Sequence, residues 1–352
     1  MKFQKQIIDD IFKCYSVNAL SIDNATHLVF AGEGPGICQT FSGADFQKKK
    51  TLWEGDGGVM SIVTVPDYEG YFFASKGFHS MVDAETSAVY LIRYKDGEFS
   101  EEKIIDLPYL HRFEVITVGD KRFFLGAALH SGKTDKEDWS NPGKLFVAEI
   151  PFSLDDKIQV DLTLFKEGLP KNHGFNRGIW KGQEVVFVAS DEGVLAVIPP
   201  QDGSSEWTSE QIFSHPVSDV AAIDLDGDGE VEFALLSPFH GNQFDIYKKI
   251  DGKYTSVFTY EKELDFYHAI YADTFNGIPS FVIGARKEGM DLFLVQYNSK
   301  ENIFESHLID TEVGSSNARI IHTENGDIIM SANRQVGQAA IYKSIRSIIT
   351  PP

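Results

Sequence analysis

Three histidines, His111, His173 and His268, stand at the head of short apolar runs, in LHRFEV, NHGFNR and YHAIYA. Imidazoles delivered to one point from separate segments can share a metal, or act as acid and base near neutral pH. Three of them, with water in the remaining positions, suit zinc, manganese or iron. Asp219, in VSDVAA, holds the equivalent place in its own segment and is expected to be a fourth ligand or to orient a histidine. His79, His130 and His240 lie in loops and are expected further out, for substrate contact or proton transfer; six of the ten histidines thus fall at such junctions. Tyr267 is a further candidate acid or base. Arg177 and Arg334 bring positive charge that can neutralise a carboxylate or an enolate. A set like this can run an elimination beside a carbonyl or carboxylate. A cation polarises that group, a base takes the α-proton, and an acid serves the leaving group. An isomerase or epimerase shares the enolate. A hydrolase would more often show a pair of carboxylates, and Glu114 and Asp219 are the only acids nominated on inner strands.

The elements that must position these groups are strands. Phe and Tyr are abundant at 27 and 13, and almost no long segment has helical periodicity. One join recurs: a charged strand, a short loop, then an apolar strand. It is seen in KFQKQIIDDIFKCYSVNAL, FQKKKTLWEGDGGVMSIVTV, FSEEKIIDLPYLHRFEVITV and four later segments, at a spacing of roughly 50 residues. That spacing fits propeller blades of four strands. The chain is therefore expected to be all-β, a seven-bladed β-propeller of four-stranded blades. The expected blades span 14–56, 57–109, 110–171, 172–216, 217–265, 266–314, and 315–349 with 2–8. The first join opens on an outer-type strand with no blade before it, and the last unit lacks one. Residues 2–8 are thus expected to complete the last blade, leaving no open sheet edge. In this architecture the inner strands begin at one face of a central channel, so the histidines should surround its mouth.

A second site is legible in VSDVAAIDLDGDGEVEFALLS. Two apolar runs flank an acidic turn with Asp224, Asp226, Asp228 and Glu232. Glu230 offers its carbonyl, and Gly227 and Gly229 let the backbone fold tightly. The turn joins an inner strand to its neighbour, on the face opposite the mouth, and is expected to be a structural calcium clip.

Composition bounds the function. The 352 residues carry 32 Lys+Arg against 52 Asp+Glu, a net charge of −20, which repels phosphate backbones and disfavours nucleic acid. No apolar run of about 18 residues is present, so no membrane span is expected. MKFQKQIIDDIFKCYS has no long apolar core or small-residue cleavage site, and Cys14 and Cys38 make no disulfide framework. These features together favour a cytoplasmic protein.

The DLDGDGEVE turn within its strands resembles the FG-GAP/VCBS class of propeller repeats, most strongly in the fifth unit. That resemblance implies the fold and the calcium. The histidine-rich mouth looks like the propeller domain of aldos-2-ulose dehydratases, which act on keto-sugars. It is also similar in plan to propeller polysaccharide lyases such as oligogalacturonate lyases, which hold a metal through histidines. No full catalytic motif of either family matches, and the cupin portion of the dehydratases is absent. The expected function is a metal-assisted carbohydrate-active enzyme, a lyase, dehydratase or isomerase acting on a keto-sugar or uronate. The alternative is a non-catalytic propeller that binds a sugar or a protein.

Overall fold

The computed structural model describes residues 1–65, 68–201 and 204–345. Its 28 strands form seven four-stranded antiparallel sheets, and the described residues contain no helix, so none long and apolar enough to cross a membrane. Six sheets follow chain order from the inner strand outward. In blade one the order is Cys14–Ile22, Ala25–Gly32, Cys38–Ser42 and Lys48–Trp53. The seventh sheet runs Ser315–Ile321, Ile328–Asn333, Gln338–Ile345, and then Lys2–Asp10 from the start of the chain. The expected closure is thus observed. Lys2 pairs with Ile345 and Asp10 with Gln338, so the first strand covers the edge left by the last. Residues 346–349 of the expected seventh blade lie outside the described residues.

The middle strands explain why the sheets stack. Runs such as VVFVAS (Val185–Ser190) and FVIGA (Phe281–Ala285) are buried on both faces, as in strands sandwiched between two layers. Seven apolar clusters result, one between each pair of neighbouring blades. The cluster that joins the ends of the ring packs Ile328, Met330, Ala332 and Ile341 of blade seven against Cys14, Val17, Leu28 and Phe30 of blade one. The outermost strands are charged and half-exposed, as in KKKTLW (Lys48–Trp53).

One feature of the inner strands positions the functional groups. Four of them carry a bulge near their start, at the second residue in three and the fourth in blade six, seen as a register shift across Cys14/Ser16, Leu110/Arg112, Tyr267/Ala269 and Ser315/Asn317. The extra residues are Tyr15, His111, His268 and Ser316. A bulge inserts one unpaired residue and re-aims its side chain. Here the bulges aim Tyr15, His111 and His268 at one another, while the Ser316 hydroxyl donates to the carbonyls of Cys14, Tyr15 and Ala332.

Because the ring is closed by strand pairing and one interface, removing residues 2–10 should expose a sheet edge and strip blade seven of its outer strand. Calorimetry is expected to show loss of the single sharp transition, and a synthetic peptide of residues 2–10 added in trans should restore it. An unchanged transition in the truncated chain would mean that the closing strand does not hold the ring.

Candidate functional site

Four imidazoles and one phenol meet on the axis. His173 lies with its ring centroid 4.3 Å from His240, 5.3 Å from His268 and 4.6 Å from His111, and His240 stacks on His268 at 4.8 Å. One ring nitrogen from each of His173, His240 and His268 lies within 4.8 Å of the other two. The three Nδ1 atoms face backbone carbonyls: Ser218 at 3.3 Å from His173, Tyr267 at 3.3 Å from His240, and Ser316 at 2.6 Å from His268. That leaves Nε2 of each ring on the opposite side; among the described residues Nε2 of His173 is buried without a hydrogen-bond partner, while that of His268 faces a hydroxyl. Orientation of each ring by a carbonyl on its far nitrogen is what a histidine metal site requires. The Tyr15 hydroxyl stands 3.1 Å from Nε2 of His268 and 3.4 Å from Nε2 of His111. Asp219 accepts from the amides of Val220 and Phe175, and its second oxygen lies 3.5 Å from Nδ1 of His173.

Electrostatics fix the protonation states. Burial pushes all four imidazoles well below the usual histidine range, and the Arg112 guanidinium pushes the same way, so they are neutral at pH 7. Burial raises the Tyr15 phenol to about 12, so it keeps its proton. Burial also lifts the Asp219 carboxyl to about 7, against the pull of Arg112 and the two amides.

The structure changes the expected layout in three ways. The set that converges is His173, His240 and His268; His240 was expected further out, and His111 was expected as a ligand but faces Tyr15 instead. His240 reaches the axis from a left-handed loop residue with φ of 56°, a conformation that periodicity does not reveal. Tyr15 is expected from the sequence at the mouth only as a hydrogen-bonding and stacking residue of the binding alternative, outside the catalytic and metal candidates. Its place at the head of the blade-one inner strand, matching His111 and His268 in theirs, is the signal that could have found it. Finally, the mouth is not open. The four histidines are 1–8% exposed, and Phe78, Met60 and Leu129 pack with Trp139 and Phe239 across the end where the inner strands begin. The accessible space lies on the other side of the cluster. A cavity of about 300 Å³ runs down the channel, starting at Ser16, Arg112 and Asn317, the residues that follow Tyr15, His111 and Ser316.

The remaining candidates are distributed differently. Arg177 lines this cavity rather than the rim, paired with Glu184. Arg334 pairs with Glu33 and ties blade seven to blade one. Tyr267 is buried among Phe244, Tyr260 and Phe293, because the bulge at His268 sends Tyr267 into the interface with blade five and Ala269 into that with blade seven. It is a core residue, not an acid or base. His130 is fully buried, with Nε2 donating to the Met81 carbonyl at 2.7 Å and Nδ1 accepting from Gly132 at 3.1 Å. With both nitrogens committed, it anchors the 131–141 loop and has none left for proton transfer. His79 is half-buried in the blade-two loop, where its backbone amide donates to Asp83.

In the acidic turn, Asp224, Asp226 and Glu232 each bring an oxygen within 4.8 Å of the others. Asp224 accepts from the amides of Gly227 and Gly229, and Glu232 from that of Leu225 at 2.7 Å. The cation among them is the Lys248 ammonium, paired with Asp226, 2.7 Å from Asp228 and 3.4 Å from the fully buried Glu232. Glu230 stands apart beside Lys249 at 3.7 Å.

The chain is thus a seven-bladed β-propeller with a buried histidine cluster above a channel cavity. No family model and no curated protein matches it, so the FG-GAP/VCBS resemblance rests on the turn alone. Solved structures do match. A Bacteroides uniformis protein described as a candidate 6-phosphogluconolactonase superposes with a TM-score of 0.60 at 15% identity, over 90% of each chain. A Bacteroides fragilis protein of the same description gives 0.54 at 12% identity, over 90% of this chain and 86% of that one. The extracellular domain of a candidate one-component system from B. thetaiotaomicron gives 0.56 at 13% identity, with 97% of this chain spanning 40% of that one. At these identities the likeness shows the fold.

His130 gives a pH prediction. Burial lowers its pKa from 6.5 to about 4. Between those values the unfolded chain takes up a proton that the folded chain refuses. The stability is complete above pH 6.5 and is lost as pH falls toward 4. Urea midpoints at pH 7.5 and pH 5 are expected to show His130→Gln losing about 2 kcal/mol less than the wild type over that interval. Equal losses would place the acid sensitivity elsewhere.

Proposed function

We propose that this chain is a metal-assisted carbohydrate-active enzyme that eliminates water from a sugar acid or keto-sugar. The observation that carries this reading is the His173, His240 and His268 trio, each Nδ1 turned to a carbonyl and one nitrogen of each drawn together. Such a donor set suits zinc, manganese or iron, which would polarise the group next to the reacting carbon. Asp219 would hold His173 in register.

The remaining groups supply the proton transfers. His111 is neutral, with Nε2 beside the Tyr15 hydroxyl and directly before Arg112 of the cavity lining, so it would serve as base for the α-proton. Tyr15, still protonated, gives its proton to the departing hydroxyl, which leaves as water. The His111 imidazolium then returns a proton to the Tyr15 oxygen across their 3.4 Å contact, and the pair is reset. Arg112, at the inner end of the cavity, offsets charge building on the substrate. The description of two structural neighbours as candidate 6-phosphogluconolactonases agrees with sugar chemistry in general but not with this reaction in particular. The near-complete burial of the histidines favours a second reading. In that reading the cluster is a plug, and the propeller only binds its ligand in the channel.

The acidic turn belongs to the proposal as a clip closed by a cation. Lys248 is the favoured cation over calcium, since it is covalently present and already meets three carboxylates.

Elemental analysis of the dialysed protein beside His240→Gln/His268→Gln tests the metal. Near-stoichiometric zinc, manganese or iron that disappears in the double variant is expected, with loss of turnover on uronates and keto-sugars. A wild type free of transition metal would leave the binding reading. For the clip, calcium added back to chelator-stripped wild type should leave its melting temperature unchanged. Lys248→Met should cost about 3 kcal/mol, because it strands a buried carboxylate, and calcium should recover it. A stripped wild type that calcium stabilises, with no such gain in Asp224→Asn/Asp226→Asn, would instead identify calcium as the native occupant.

A further inference from the structure

The chain is acidic throughout, with 52 Asp+Glu to 32 Lys+Arg, yet the cavity is not. Its charged lining is Arg112, Arg177 and Arg319 against Glu114 alone. Two of the three arginines face carboxylates: Arg177 is paired with Glu184, and Arg319 lies 4.0 Å from Glu114 with its guanidinium over the Tyr271 ring. Arg112 differs. Among the described residues it has no carboxylate partner; one Nη donates to the neutral Asn317 carbonyl at 2.8 Å, and its Nε is buried with no acceptor. A guanidinium in this state retains most of its capacity for a planar anion. Its position is equally specific. It follows His111 in the chain, and its charge is felt by Tyr15, Asp219, His173, His240 and His268.

The lower rung of the cavity has another character. Arg319, Tyr271 and Asn176 lie three residues past Ser316, His268 and His173, where Arg112 lies one past His111, or roughly 7 Å further down the channel at the rise of a β-strand. They offer an amide, a phenol ring and a shared guanidinium, the contacts that polyol hydroxyls and a sugar face use. A volume of about 300 Å³ is at the small end for ligand pockets, which suits one monosaccharide unit.

We propose that Arg112 is the carboxylate anchor of a small sugar acid, an aldonate or uronate, bound in the channel with its carboxylate against the underside of the histidine cluster. The ligand enters from the face opposite the closed end. One unpaired guanidinium matches one carboxylate, and the polar lower rung matches the hydroxylated tail. This inference rests on the enzymatic reading only in naming the ligand a sugar acid. Arg112 acts as a specificity-determining residue, since it selects the acid over the neutral sugar.

The test is direct binding, without turnover. Titration calorimetry in chelator measures D-galacturonate and D-gluconate against D-galactose, D-glucose and inorganic phosphate, on the whole chain. The acids are expected to bind, and the neutral sugars to bind about 10- to 100-fold more weakly, the range of a charge-assisted contact. Arg112→Gln should remove that preference, and Arg112→Lys should restore part of it. If Arg112→Gln does not fold, the wild-type comparison of acid with neutral sugar decides alone, supported by Asn317→Ala, which frees one Nη and should shift acid affinity but not neutral-sugar affinity. Equal binding of acid and neutral sugar overturns the proposal. Phosphate binding as tightly as the sugar acids overturns the carboxylate assignment. Acid binding by a protein that holds no transition metal keeps the anchor and removes the enzyme. Metal without acid binding does the reverse.

Discussion

Everything in this molecule depends on one strand pairing, Lys2–Asp10 against Gln338–Ile345. A sheet edge exposes unpaired amides and carbonyls, and a stack of seven sheets left open would expose two apolar faces as well. Pairing the start of the chain with its end removes the edge. It also brings blade seven against blade one, where Met330 and Ile341 meet Leu28 and Phe30. Only in a closed ring do the heads of all inner strands point at one axis.

Closure concentrates polar groups where water is scarce. Tyr15, His111, His173, His240 and His268 come from five blades, and each is nearly fully buried. A buried imidazole is stable only when neutral and hydrogen-bonded. The inner strands meet that requirement with their own backbone, through the carbonyls of Ser218, Tyr267 and Ser316. The same hydrogen bonds leave the opposite nitrogens turned toward one another. The hydrogen bonds that satisfy the rings therefore also set how their other nitrogens converge, and Asp219 and Arg112 stand close enough to act on their charge.

The acidic turn solves a similar problem with a different device. Glu232 starts the second strand of blade five and has no solvent exposure, so its charge needs a partner. Lys248, reaching over from the third strand, supplies one. Pairing with an ammonium is weaker in geometry than multidentate coordination, but it needs no ion from the surroundings.

The sequence determined the fold to the level of blade number and closure. Period-two strands, turn residues and a repeat near 50 residues are local properties, and a leading strand without a blade admits one economical solution. It also placed His173, His268 and Asp219 together near the axis, because residues at the head of an inner strand must approach the axis of any propeller. Tertiary structure alone decided the rest. His240 joins the trio through a left-handed loop residue, and Tyr15 and His111 are aimed by bulges that depend on register with a neighbouring strand. His130 and Tyr267 have the right residue types but spend their polar atoms or surface on packing. Which end of the channel is closed was likewise invisible, because Phe78, Leu129, Trp139 and Phe239 lie far apart in sequence and become a lid only when the ring assembles. Residue type and spacing report what a strand offers. Direction and access come from contacts between strands, and those exist only in the folded chain.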